Sequence, residues 1–182
     1  MKRKIIAAIL AFTLFAALST TALANQPRNV TATLDPGVTI ALNGQPQGLR
    51  NAQGENVFPI VYAGTTFIPI RAVSNMLGLQ IDWHPDGFGW ATGRVVHIQR
   101  GGAASLFPPA PAGAARQVQA VIDPGISILF DGALEIMRDA QGNQVFPLVF
   151  EGTTYLPVRA VALILGIGID WDGNTRTVNI SS

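Results

Sequence analysis

The sequence predicts an α+β protein of two repeated small domains, each a curled antiparallel β-sheet packed around one α-helix. Three observations carry that expectation. The first is a duplication: Arg28 to Trp83 recurs as Arg116 to Trp171 without a gap, and half of the aligned positions are identical. The second is the density of short apolar runs closed by Gly, Pro, Asn and Asp, the mark of strands joined by tight turns. The third is one stretch in each copy whose apolar residues fall at helical spacing. The repeat is too long for one turn of a solenoid, whose units run ~20–45 residues. It reads as a duplicated domain. Catalytic sites rarely come in two copies joined by a linker, whereas binding and scaffold modules often do.

The elements follow in order. Val30 to Leu34 is an extended run ended by the turn Asp35-Pro36-Gly37. Val38 to Leu42 alternates and meets Asn43-Gly44, a strong hairpin signal because a type I′ turn needs positive φ at both central residues. Asp131-Gly132 supplies the same chemistry in the second copy. A return strand is expected over Gln45 to Arg50, a turn at Gln53-Gly54, and strands over Val57 to Tyr62 and Thr65 to Ile68. Pro69 then suits the first turn of a helix, where a missing N–H costs nothing. Ile70, Val73, Met76 and Leu77 form its apolar face, and Gly78 stands where a left-handed C-terminal residue is wanted. Leu79 to Trp83 and Val95 to Ile98 are the closing strands.

Residues 1–24 are expected to be a secretory signal peptide. Lys2-Arg3-Lys4 precede an apolar run from Ile5 to Leu18, and Ala22-Leu23-Ala24 fits a small-x-small cleavage site. The run is short of the ~20 residues a membrane span needs. Every lysine lies in this segment. The remainder holds nine arginines against eleven carboxylates, a net charge of −2, so it offers no basic face to nucleic acid or anionic lipid. Cysteine is absent, so no disulfide framework is used although export would permit one. The division expected is a first domain over 25–100, a Pro/Ala/Gly-rich linker over 101–115 and a second domain over 116–182. Units this small have a marginal core of their own. Each must rely on dense apolar packing or on its twin.

Candidate site residues fall into two groups. Arg71 and Arg159 open the two helices, where the helix dipole disfavours a cation. Asp82 and Asp170 are their expected partners in an Arg–carboxylate fork that ties helix to strand. Trp83 and Trp171 end apolar strands and are expected to cap the core, with ligand stacking as the alternative. The second group is an insertion. His84 to Gly93 in the first copy is six residues longer than the matching turn of the second. It carries Phe88 and Trp90 among glycines. These aromatics are the candidate ligand-binding residues, suited to stacking on sugars or peptides; folding back over the core is the alternative. His84 and His97 could pair on a metal only if the fold brings them together, and zinc or copper sites want three or four ligands. No metal site, cofactor or catalytic residue is therefore assigned. No nucleophile motif or phosphate-cradling loop appears.

At these residues the chain resembles a known family. Gly152 to Val161 (GTTYLPVRAV), Leu165-Gly166, Ile169-Asp170-Trp171-Asp172 and Thr177 to Ile180 are similar to the copper amine oxidase N-terminal domain-like, or stalk, domain. Ile126 to Gly132 fits that domain's first hairpin. Gly64 to Val73 (GTTFIPIRAV) and Ile81-Asp82-Trp83 carry the resemblance into the first copy, so two tandem copies are implied. In the oxidases this domain is an appendage to a separate catalytic domain. Standing alone, it implies an extracellular or cell-surface accessory module. Two departures stand out. The insertion after Trp83 is one. The other is the second helix, Val158 to Leu165, which is apolar on nearly every side except Arg159, whereas the family's helix carries an acidic residue. A helix apolar all round is expected to be buried all round, against the first copy, a second chain or a partner.

Together these readings describe a secreted, non-catalytic binding or scaffold protein of the bacterial cell envelope, bivalent through its duplicated modules. A cell-wall polymer or a surface protein is the expected partner. The alternatives are a structural element that self-associates through the second helix and, further off, a metal-binding accessory protein.

Overall fold

The computed structural model describes residues 26–182; the expected signal peptide, residues 1–24, lies outside the described residues. Short strands dominate, with two helices, in keeping with the α+β class. The first half runs β1 (Arg28–Leu34), β2 (Thr39–Leu42), β3 (Gln45–Gln47), β4 (Leu49–Arg50), β5 (Asn56–Val57), β6 (Ile60–Tyr62), β7 (Thr65–Pro69), α1 (Ile70–Leu77), β8 (Leu79–His84) and β9 (Arg94–Arg100). The second half runs β10 (Arg116–Ile122), β11 (Ile126–Phe130), β12 (Ala133–Glu135), β13 (Leu148–Phe150), β14 (Thr153–Pro157), α2 (Val158–Leu165), β15 (Gly168–Asp172) and β16 (Thr177–Ser181). No helix among the described residues is long and apolar enough to cross a membrane.

The turns form as their residues dictate. Asn43-Gly44 and Asp131-Gly132 have positive φ at both central positions, 49° and 78° in the first and 47° and 83° in the second, as a type I′ hairpin requires. Gly78 closes α1 in the left-handed region at φ 64°. Two expected strands are each split in two. Pro59 cannot donate a ladder hydrogen bond, so Val57 to Tyr62 divides into β5 and β6. Gln45 to Arg50 breaks at Gly48, whose N–H donates to the Phe107 carbonyl at 2.7 Å. A Cβ on Gly48 would stand 2.1 Å from the Pro108 carbonyl oxygen. The segment over 101–115 is thus laid against the first half; Ser105 N–H also donates to the Asn75 carbonyl.

The two halves do not fold as self-contained sheets. A closed six-stranded barrel takes the order β1-β10-β13-β14-β7-β6, three strands from each half. In β1–β10 Thr31 faces Gln119, and in β7–β14 Ile68 faces Leu156. Each of these residues is opposite its own counterpart in the repeat, so a pseudo-two-fold axis passes through both pairs. The remaining strands are exchanged. β11 and β12 join β9 and β8, and β2 and β3 join β16 and β15. Each four-stranded sheet therefore contains one parallel pair, β9–β11 or β2–β16, which corrects the expectation of purely antiparallel sheets. A parallel pair needs a long connection between its strands, and strands drawn from opposite halves have one.

Period-two alternation divides the core. Phe67 and Tyr155 point into the barrel, packing on Val30, Ala32, Ile60, Val118, Ala120 and Leu148. Their neighbours Ile68 and Leu156, both fully buried, point outward into a second core. There the apolar faces of both helices meet Val96, Ile98, Ile128, Val178 and Ile180 of the two four-stranded sheets. The burial of the Tyr155 ring holds its hydroxyl protonated well above the ordinary tyrosine range. α2 packs against β14 and β15 and also against β7 of the first half. It is not buried all round: Ala160, Val161 and Ala162 are covered, but Leu163 is 65% exposed.

Candidate functional site

The ion pairs that matter to the fold differ from those the sequence suggested. Arg71 and Arg159 lie exposed on their helices, and the expected forks to Asp82 and Asp170 do not form. The aspartates that are buried, and so most in need of a cation, are Asp35 and Asp123 of the two Asp-Pro-Gly turns. Asp123 accepts a bidentate fork from Arg94 at 2.6 and 2.8 Å, together with the Gly125 N–H at 2.9 Å. Asp35 pairs with Arg176 and accepts the Gly37 N–H at 3.0 Å. Each arginine comes from the half opposite its aspartate. A Cβ on Gly37 or Gly125 would fall within 2.9 Å of the arginine that covers it. In each turn the glycine leaves room for the guanidinium that lies across it.

Around these forks two grooves open. The first, a cavity of about 660 Å³, is walled by Trp171, Arg159, Asp170 and Arg176 of the second half and by Thr65 and Thr66 of the first. Asp139 lines it as well. Hydrogen bonds from the Asn143 side chain, and then from nearby backbone N–H groups, hold that carboxyl below the ordinary aspartate value and keep it ionised. The second groove carries the repeat counterparts: Trp83, Arg71, Asp82 and Arg94 of the first half with Thr153 and Thr154 of the second. It consists of two cavities, about 440 and 260 Å³, that share Trp83, Gly152 and Thr154. Trp83 is 47% exposed and Trp171 46%. Neither indole is sealed into the core as a cap; both form groove wall.

The inserted loop separates its two aromatics. Phe88 folds inward, paired with Ala91 across a tight bridge, and packs on Ala91, Val95 and Leu129. Its ring stacks on His84 at 4.4 Å and approaches His97 at 4.2 Å. Trp90 stays 66% exposed. The His84 and His97 rings are 6.3 Å apart with Phe88 against both. The buried His97 lies 2.8 Å from the Gln99 amide through Nδ1, while His84 Nε2 is buried without a protein partner. Among the described residues no three His, Cys, Asp or Glu side chains converge as a metal site would require.

Sequence reasoning found Trp83, Trp171, Arg71 and Arg159 but assigned them to structure. It missed Thr65, Thr66, Thr153 and Thr154 as groove residues. The available signal was the Gly-Thr-Thr run itself, a polar patch repeated in both copies at a hairpin exit. What it could not show is that each run faces the tryptophan of the other half.

Residues 139–182 match the family model described as the copper amine oxidase N-terminal domain. The matched segment runs from Asp139 through α2 to the last strand, so it contains Asp139, Arg159, Asp170, Trp171 and Arg176 of the first groove. That domain is non-catalytic by itself. No curated protein and no solved structure gives a significant match.

Proposed function

We propose that this chain is an exported, non-catalytic binding protein of the bacterial cell envelope, that both halves are copies of the matched domain, and that they act bivalently on a cell-wall polymer or a surface protein. The observation that carries the reading is the pair of equivalent grooves, each assembled from both halves and each with a half-exposed tryptophan among unspent polar groups. The N-terminal basic and apolar segment supports export. The net charge of the remainder speaks against nucleic acid and anionic membrane as partners. Bivalency here works through fixed spacing rather than a flexible tether. With both grooves in one interlocked body, engaging the first presents the second at a high effective concentration whenever the ligand's repeat matches the spacing. Co-sedimentation of residues 25–182 with purified Gram-positive cell wall tests this. Pelleting supports it; a protein that stays in the supernatant sinks the wall polymer as partner.

One observation favours a second reading. Leu163 on α2 and Leu134 and Ile136 near β12 are exposed large apolar residues, which suits a self-associating structural element. Sedimentation velocity over a broad concentration range separates the two, because association without ligand belongs to the second alone.

A further inference from the structure

We propose that each groove is a saccharide site for a neutral glycan, one sugar ring stacking on Trp171 in the first and another on Trp83 in the second. The inference rests on the envelope-binding reading and names the ligand class for it.

Four features of the grooves select this class. First, an indole half in water at the wall of a concavity offers the flat apolar face on which the C–H side of a pyranose lies. Second, the polar groups beside it are of both kinds. Vicinal hydroxyls donate and accept together, and Arg159 supplies donors, Asp170 acceptors, and the Thr65 and Thr66 hydroxyls both. Arg71, Asp82, Thr153 and Thr154 repeat that set in the second groove. Third, these groups are free to bind: the ion pairs among the described residues engage Arg94, Arg100 and Arg176, not Arg71 or Arg159. Fourth, neither groove carries an excess of positive charge. Arg138, Arg159 and Arg176 face Asp35, Asp139 and Asp170 in the first groove, and Arg71 and Arg94 face Asp82, Asp123 and Glu151 in the second. A polyanion finds no net positive field in either. The duplication adds its own argument, since two like sites held in one rigid body suit a ligand that repeats along its length.

The test is titration calorimetry of residues 25–182 with soluble hexasaccharides of β-1,4-linked N-acetylglucosamine and of β-1,4-linked glucose, with polygalacturonate as an anionic contrast and tryptophan fluorescence as a second readout. The result expected is saturable binding of a neutral hexasaccharide at two sites per chain, with little dependence on salt. Trp83→Ala and Trp171→Ala should each remove one site, weakening it by at least about tenfold as loss of a stacked tryptophan anchor does, and the double variant should show no saturable binding. Trp83→Phe and Trp171→Phe keep a ring and should keep part of the affinity, which guards against a loss caused by misfolding. The inference is overturned if neither neutral hexasaccharide binds, if only the polyanion binds with steep salt dependence, or if binding survives the double alanine variant. Pelleting with walls by a protein that binds neither hexasaccharide would leave the envelope reading standing and remove this one. Hexasaccharide binding without pelleting would do the reverse.

Discussion

Asp123 is where the interlock can be measured. Its carboxylate is buried and accepts the Arg94 fork at 2.6 and 2.8 Å plus the Gly125 N–H. Asp123→Ala therefore removes hydrogen bonds to a charged group, each worth about 1.5–3 kcal/mol. Breaking a fully buried pair costs about 3–5 kcal/mol, but Arg94 keeps 41% of its side chain in solvent and rehydrates once freed. Screening discounts the figure accordingly. A loss of roughly 2–3 kcal/mol follows, or a fall in Tm of roughly 5–10 °C for a chain of this size. The assay is urea unfolding of wild type, Asp123→Ala, Arg94→Ala and the double variant. The cycle should return a coupling of about 1–2 kcal/mol. Asp35→Ala and Arg176→Ala should reproduce it at the pseudo-equivalent pair. A coupling below about 0.5 kcal/mol, the ordinary error of additivity, would refute the claim that these forks join the halves.

Three further outcomes are expected. Fragments 26–110 and 111–182 should each be largely unfolded alone and should regain β-sheet circular dichroism when mixed, because each sheet except β4–β5 draws strands from both; a folded monomeric 26–110 would contradict the strand exchange. Gly48→Ala should cost about 1–3 kcal/mol by overpacking, since the new methyl meets the Pro108 backbone, and limited proteolysis should then cut the 101–115 segment sooner; unchanged stability would show that this segment is not held there. Asp172 is pulled below its ordinary value of 3.8 by the Thr175 hydroxyl and then by the Asn174 and Thr175 N–H groups. A carboxylate depressed in the folded state contributes stability that is present above the unfolded pKa and lost as the pH falls through the folded one. The urea midpoints of wild type and Asp172→Asn should thus differ at neutral pH and converge in strong acid, and a constant gap would count against the assignment.

Local chemistry was legible in the sequence; partnership was not. Asn43-Gly44 and Gly78 could be placed because the conformations they adopt are set by neighbouring residues. The Arg–Asp forks could not. The sequence offers Arg71 and Asp82 as neighbours in one copy, and helix-dipole reasoning favours them, yet the buried aspartates recruit Arg94 and Arg176 from across the interlock. Identity between the copies is also what hides the exchange. A strand that can pair with β9 can pair with its counterpart β16 equally well by pattern, and hydrophobic alternation does not record which copy supplies the neighbour. α2 shows the same limit. Its composition, apolar but for Arg159, predicts full burial, and the helix is covered in part by β7 of the other half, but Leu163 still faces solvent.

Each groove sets a tryptophan from one half against a Gly-Thr-Thr hairpin from the other, so a single copy holds the parts of both sites and completes neither. An isolated copy would also leave its barrel strands β1 and β7 without the partners β10 and β14, exposing edges that invite pairing with a second molecule. The same geometry would then be reached by two single-copy chains, related by a true two-fold through the positions of Thr31 and Ile68. Fusing the copies makes that assembly intramolecular and independent of concentration. It also leaves the halves free to differ, as they do at the inserted loop with Phe88 and Trp90. A single-copy protein carrying Arg28 to His84 and a strand equivalent to β9 is accordingly expected to be dimeric when folded, with groove binding and folding lost together on dilution. A folded, binding-competent monomer of that kind would show that each groove can be completed within one copy.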